Sequence, residues 1–209
     1  FTEGISWHYT WSGFHDPSGL AQLMGGYDKF NTMLDSVFNL PPVFDDTYYG
    51  FTIHEIREMQ IMHMGNYAHG NQPIQHMIYL YDYSGQPWKT QYWIREVMNR
   101  LYTAQPDGYC GDEDNGQTSA WYVFSALGFY PVCPGSTQYM IGTPYFHKAK
   151  IHLENGKIIT INADKNDDNN RFIQRIMMDG QPYQHYYLEH NKLEDGVSID
   201  FMMGDKPCK

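Results

Sequence analysis

The sequence predicts an α+β fold, with antiparallel helical hairpins over residues 1–134 and a C-terminal antiparallel β segment over residues 135–209 packed on them. Three observations carry this reading. Apolar residues recur at helical spacing in the first part, Gly and Pro punctuate the intervals between the stripes, and after Pro134 the pattern changes to alternation around tight turns. At 209 residues the chain can bury a core, and 42% hydrophobic residues with a mean hydropathy of −0.58 read as soluble and globular.

The opening stretch carries Trp7, Tyr9, Trp11 and Phe14 beside Glu3, His8, His15 and Asp16. That is too aromatic for a disordered tail, so it is a functional loop or a core strand. Phe30, Met33, Leu34, Val37 and Phe38 form a helical stripe ended by Pro41-Pro42. From Ile53 to Met64 the pattern is helical but irregular, with His54-Glu55 interrupting its apolar side. Gly70 and Pro73 mark a turn, Met77 to Tyr83 resume a helix, and Pro87 suits a first helical position before the stripe Ile94, Val97, Met98, Leu101 and Tyr102. Short links between such helices imply hairpins whose polar loops gather at one end. In the tail, Asn155-Gly156 and Asp179-Gly180 each signal a β-hairpin, and Val197, Ile199 and Phe201 alternate in a last strand. Asp164 to Asn170 reads as a solvated loop.

The stretch Gly111 to Pro131 joins three consecutive acids to a strongly apolar helix. Ala120, Val123, Phe124 and Leu127 give the stripe, and Gly128 stands where a helix C-terminus accepts positive φ. One acid before a helix is an ordinary cap. Asp112, Glu113 and Asp114 together exceed what a cap needs, and they repel one another unless a cation or a proton is shared.

Composition narrows the function. The net charge of −10, with 14 Lys and Arg against 24 acids and no basic run, argues against nucleic acid. The 16% aromatic content suits a cleft that stacks flat apolar faces such as sugar rings, although large cores use aromatics too. No apolar stretch approaches the roughly 20 residues of a membrane helix. Three cysteines without CxxC spacing support neither a zinc site nor a disulfide framework. Phe1 is not an initiator, and the stretch after it reads as the middle of a fold, so a fragment is expected.

The motifs EGISWHYTW, YAHGNQPIQH, YSGQPWKT and GDEDNGQTSAWYVFSALGFYPVCPGS, in this order, resemble the C-terminal catalytic region of glycoside hydrolase family 92. The match runs from Phe1 to about Ile141 and weakens in the β tail. The resemblance implies that the helical hairpins form part of an (α/α)6 barrel preceded by a β-sandwich domain. It also implies a calcium-dependent, exo-acting, inverting α-mannosidase, acting on a mannose-containing glycan outside the cell: secreted, periplasmic or on the cell surface.

Residue by residue, the resemblance makes Glu3 the general acid and Asp112 and Asp114 the carboxylates that activate water, with Asp114 preferred as base. His54-Glu55 matches the pair lining the leaving-group subsite of members that cut α-1,2 linkages. A lone His-Glu pair on a helix is otherwise ordinary surface, and without a second His it makes no zinc motif. Asn71 and Gln72 match a calcium-binding Asn-Glu-Pro motif in which Gln72 replaces the carboxylate. An amide oxygen still suits calcium, but the lost charge weakens the site unless Glu58 or a nearby Asp compensates, or the change is a substrate-trapping substitution. His69 and His76 flank this loop as packing groups or sugar hydrogen-bond donors, and Trp88 stacks on sugar or fills the core. A carbohydrate-binding or catalytically weakened relative, and the same fold acting on α-1,3 or α-1,6 mannosides, are the competing readings.

Overall fold

A computed structural model describes residues 1–209. The helical part comprises α1 (Ser6–Tyr9), α2 (Pro17–Leu23), α3 (Tyr27–Asn39), α4 (His54–Met62), a 3₁₀ helix (Gln72–Tyr79), α5 (Leu80–Tyr83), α6 (Pro87–Leu101) and α7 (Gln117–Leu127). The opening stretch is therefore two short helices, and Trp11 between them is fully buried. Stripes on α3 and α6 face inward: Phe30, Leu34 and Val37 meet Ile94, Val97 and Met98 in one core of 28 buried residues. A closed (α/α)6 barrel needs more helices than these residues supply.

On α7 the buried face differs from the expected stripe. Thr118, Trp121, Ser125 and Ala126 point inward, while Ala120 and Val123 are exposed. The helix is apolar on most sides, so spacing alone did not fix its rotation. Polar contacts do: Ser125 and the Tyr79 hydroxyl lie 2.8 Å apart, and Trp121 Nε1 donates to the Gln75 carbonyl at 3.1 Å. Gly128 ends the helix at φ 99°, as its residue type requires.

The tail forms two sheets. β1 (Phe129–Tyr130), β2 (Gln138–Ile141) and β7 (Tyr187–Glu189) make the smaller, in that order. The boundary expected at residue 134 thus falls inside a sheet, because β1 precedes it. The larger runs β3 (Lys148–His152), β4 (Ile158–Asn162), β8 (Ser198–Gly204), β5 (Phe172–Met178), β6 (Gln181–Tyr183), with a short helix α8 (His190–Glu194) leading toward β8. Both dipeptide hairpins form, joining β3 to β4 and β5 to β6. One pairing departs from the antiparallel expectation: β8 runs parallel to β4. Ile159, Ile161, Ile176, Ile199 and Phe201 fill a second core beneath this sheet.

Polar side chains pin the two cores together. The buried Arg95 donates to the Pro144 carbonyl at 2.7 Å and to Asn166 Oδ1 at 2.6 Å, and Ile173 N donates to Gln91 Oε1 at 2.9 Å. Asn166 is consequently 2% exposed, inside a loop expected to be solvated throughout.

Candidate active site

Four separate segments meet around the candidate residues. Gly70 and Gly111 bring two of them together: a Cβ on Gly111 would lie 2.5 Å from Gly70 Cα and 2.7 Å from Glu58 Oε2. Only glycine permits that approach, and it sets the Asn71-Gln72 turn against the loop bearing the three acids. The two amides then reach different segments. Asn71 Nδ2 donates to the Glu3 carbonyl, and Gln72 Nε2 donates to the Asp112 carbonyl at 2.9 Å. Neighbouring side chains thus tie the segment of the expected acid to the loop of the expected base.

The three acids divide their roles. Glu113 is the cap: its carboxylate accepts from Gly116 N at 2.8 Å and from Ser119 N and Oγ, bonds that hold its pKa below the usual value, those from Ser119 Oγ and Gly116 N foremost. Asp112 and Asp114 take no part in capping and are exposed. Asp114 lies at φ 48°, followed by Asn115 at 57° and Gly116 at 98°, a run of three left-handed residues. Glu3 also has positive φ, at 58°. Such backbone is costly for a residue with a side chain and gathers at functional sites.

Asp112 faces α4. Its Oδ2 is 4.0 Å from His54 Nε2, which lies 3.2 Å from Glu55 Oε1, while His54 Nδ1 lies 3.2 Å from Glu58 Oε1. The Glu58 hydrogen bond, reinforced by the charges of Glu55 and Asp112, holds His54 above the ordinary imidazole value despite some desolvation. Burial raises Glu58 against the pull of His54. Asp114 lines a groove of about 730 Å³ with Gln72, His76, Phe14 and Tyr130, within the roughly 300–1,000 Å³ span of small-ligand sites. Glu58 and Asp112 border another of about 600 Å³. A larger groove of about 780 Å³ is lined by Tyr102, Tyr109, Tyr122 and Tyr145 but by none of the candidate acids.

Two expected sugar contacts lie elsewhere. His69 is fully buried, with Nδ1 2.7 Å from the Tyr67 hydroxyl and Nε2 2.6 Å from that of Tyr102, so neither nitrogen is left for a sugar. Desolvation pushes it down to about 3, making it a neutral core group. Trp88, half-buried on the first turn of α6, borders neither acid-bearing groove. Sequence reading missed Thr118, whose buried hydroxyl donates to the Asp112 carbonyl at 3.0 Å. Its position at the start of α7 looked like plain helix.

The oxygen chemistry suits a hard cation. Glu58 Oε2 is buried without a hydrogen-bond partner, beside Gly70 and next in space to the Asn71 turn. The side-chain nitrogens of Asn71 and Gln72 are taken up by the Glu3 and Asp112 carbonyls, leaving their oxygens as acceptors. No three His, Cys, Asp or Glu side chains form a ligand cluster, so any ion here rests on one carboxylate and neutral oxygens.

A sequence profile of the glycosyl hydrolase family 92 catalytic domain matches residues 1–205. The chain belongs to that family. Among solved structures, a family 92 inverting mannosidase of Bacteroides thetaiotaomicron is 55% identical with a TM-score of 0.85, over 99% of this chain and 28% of its own length. A family 92 α-mannosidase of the same organism, solved with mannoimidazole, is 35% identical with a TM-score of 0.86, over 98% of this chain and 26% of its own. A protein of Arthroderma benhamiae described as an uncharacterized secreted glycosidase is 26% identical over 193 residues, 91% of this chain and 22% of its own length. The family 92 segment described here therefore spans about a quarter of these relatives. No helix in it is long and apolar enough to cross a membrane.

Proposed function

We propose that these residues form part of the active site of an exo-acting α-mannosidase that removes terminal α-1,2-linked mannose with inversion. The observation that supports the reading is the Asn71-Gln72 bridge, which ties the Glu3 segment to the loop bearing Asp112 and Asp114. Glu3 gives its proton to the glycosidic oxygen as the bond to the anomeric carbon breaks. Asp114 takes a proton from the water that attacks the opposite face, and Asp112 helps orient that water. Inverting enzymes hold such a pair roughly 6.5–9.5 Å apart so that water fits between sugar and base. His54 and Glu55, 3.2 Å apart on α4, match the family's leaving-group pair for α-1,2 linkages, and that motif is the support for α-1,2 over α-1,3 and α-1,6.

Calcium is assigned to Asn71, Gln72 and Glu58, with the orphaned Glu58 oxygen supplying the charge that Gln72 lacks. Asn71, Gln72 and Glu58 would hold the ion, which would supply charge stabilisation to the transition state. The relative called a secreted glycosidase supports a substrate met outside the cell, and the inverting mannosidase supports a mannose-containing glycan. The test is mannose release from α-1,2-mannobiose by the full-length protein, lost with chelator and regained with calcium. The first-formed anomer, read by proton NMR, must be β. Binding of the disaccharide without release, or release of the α anomer, overturns the proposal.

A further inference from the structure

The loop from Asp112 to Gly116 holds three left-handed residues in a row. The two with side chains are strained there, so the turn persists only if its surroundings hold it. Glu113 secures its helical end through Gly116 N and Ser119. The other end is secured at the Asp112 carbonyl, and the hydrogen-bond inventory there closes completely.

Thr118 Oγ has one proton and two lone pairs. The proton goes to the Asp112 carbonyl at 3.0 Å, and the lone pairs accept from Gln75 Nε2 at 3.1 Å and Gln72 Nε2 at 3.4 Å. Gln75, itself fully buried, has its remaining groups committed: Nε2 also donates to the His69 carbonyl at 3.0 Å, and Oε1 accepts from Gln117 Nε2 at 3.4 Å. The Asp112 carbonyl receives a second bond from Gln72 Nε2 at 2.9 Å, filling both of its lone pairs. Each direction is forced, since the amide nitrogens only donate and the carbonyl only accepts.

We infer that Thr118, backed by Gln75, is a positioning residue that clamps the Asp112 carbonyl and thereby aims the Asp112 and Asp114 carboxylates at the water. The inference rests on the roles proposed above for those two acids. Thr118 is fully buried, behind the loop rather than open to a groove. Its loss acts by letting a strained loop relax, and a misplacement near 1 Å can cost roughly 10²-fold in rate.

The experiment compares Thr118→Val, which keeps the shape and drops the hydroxyl, with Thr118→Ser, which keeps the hydroxyl, in the full-length protein. Two readouts are taken: kcat and KM on α-1,2-mannobiose, and hydrogen exchange of the amides from Asn115 to Thr118. Thr118→Val should lose roughly 10²-fold in kcat with KM within about twofold, and its loop amides should exchange faster. Thr118→Ser should match the parent in both. If Thr118→Val does not fold, Gln75→Met serves in its place, with a smaller loss of kcat and the same faster exchange expected. Parent-like kcat and protected amides in the variant lacking the hydroxyl or its support overturn the clamp, as does a serine variant as impaired as the valine one. A parent that releases no mannose overturns the mannosidase reading instead, while the exchange data still decide the clamp.

Discussion

At Asp114 a carboxylate sits on left-handed backbone at φ 48°, exposed to a groove and free of capping duty. A base acting only as the transition state forms should show in kcat. Asp114→Asn is expected to cost several orders of magnitude in kcat with KM little changed; a rise in KM alone would mark a binding residue. Gln72 calls for a different test, because its nitrogen holds the Asp112 carbonyl. Gln72→Glu adds a charge and removes that donor. Calcium affinity, measured by isothermal titration, should tighten by roughly tenfold or more, while kcat at saturating calcium should fall. Unchanged affinity would place position 72 outside the ion's ligands. At this scale the sequence showed which acids were too many for a cap, since three in a row is a local signal. Spacing alone did not separate Glu113 from its neighbours, which only the family motif did, nor reveal that His69 is consumed by two tyrosines, because Tyr102 comes to it only in the fold.

Elements place these residues by close backbone approach. Gly111→Ala would set a methyl group 2.5 Å from Gly70 Cα and 2.7 Å from Glu58 Oε2. The two loops must then part, at a cost of about 1–3 kcal/mol in stability, with a larger relative loss of activity than of stability. Thermal unfolding and kcat on the same variant check this, and parent-like values in both would refute the loop contact. Helices α3 and α6 were legible because one face alone is apolar and Pro marks an end. The rotation of α7 was not, since its apolar residues surround it and Ser125 and Thr118 decide which side goes in. Four-residue α1 and the 3₁₀ helix are too short, or too tightly wound, for a 3.6-residue period to appear.

Across the whole molecule, three buried histidines set the response to acid. Burial lowers His69 to about 3, His8 to about 4 and His76 below its usual value. Below the unfolded value near 6.5, the unfolded chain takes up protons that the fold refuses, so stability falls as pH drops from about 6.5 toward those values. Three such groups give a slope of up to about 4 kcal/mol per pH unit. Asp82 and Glu58, raised by burial, act in the opposite sense and soften it. Denaturant midpoints from pH 7 to 4 should fall steadily; a flat profile would mean that the imidazoles titrate in the folded state. The α+β class and the hairpins of the tail were readable, but the two opening helices were not, nor was the parallel β4–β8 pair, since alternation looks the same in either direction.

That pair governs when the sheet can assemble. β8 lies between β4 and β5, although it is the last of the strands along the chain. During synthesis two hairpins emerge first, β3–β4 and β5–β6, each with an open edge and nothing to bridge them. Until residues 198–204 leave the ribosome, those edges are exposed to pairing with other chains. A nonsense change just before residue 198 would therefore leave the sheet in two halves, each with an unpaired edge.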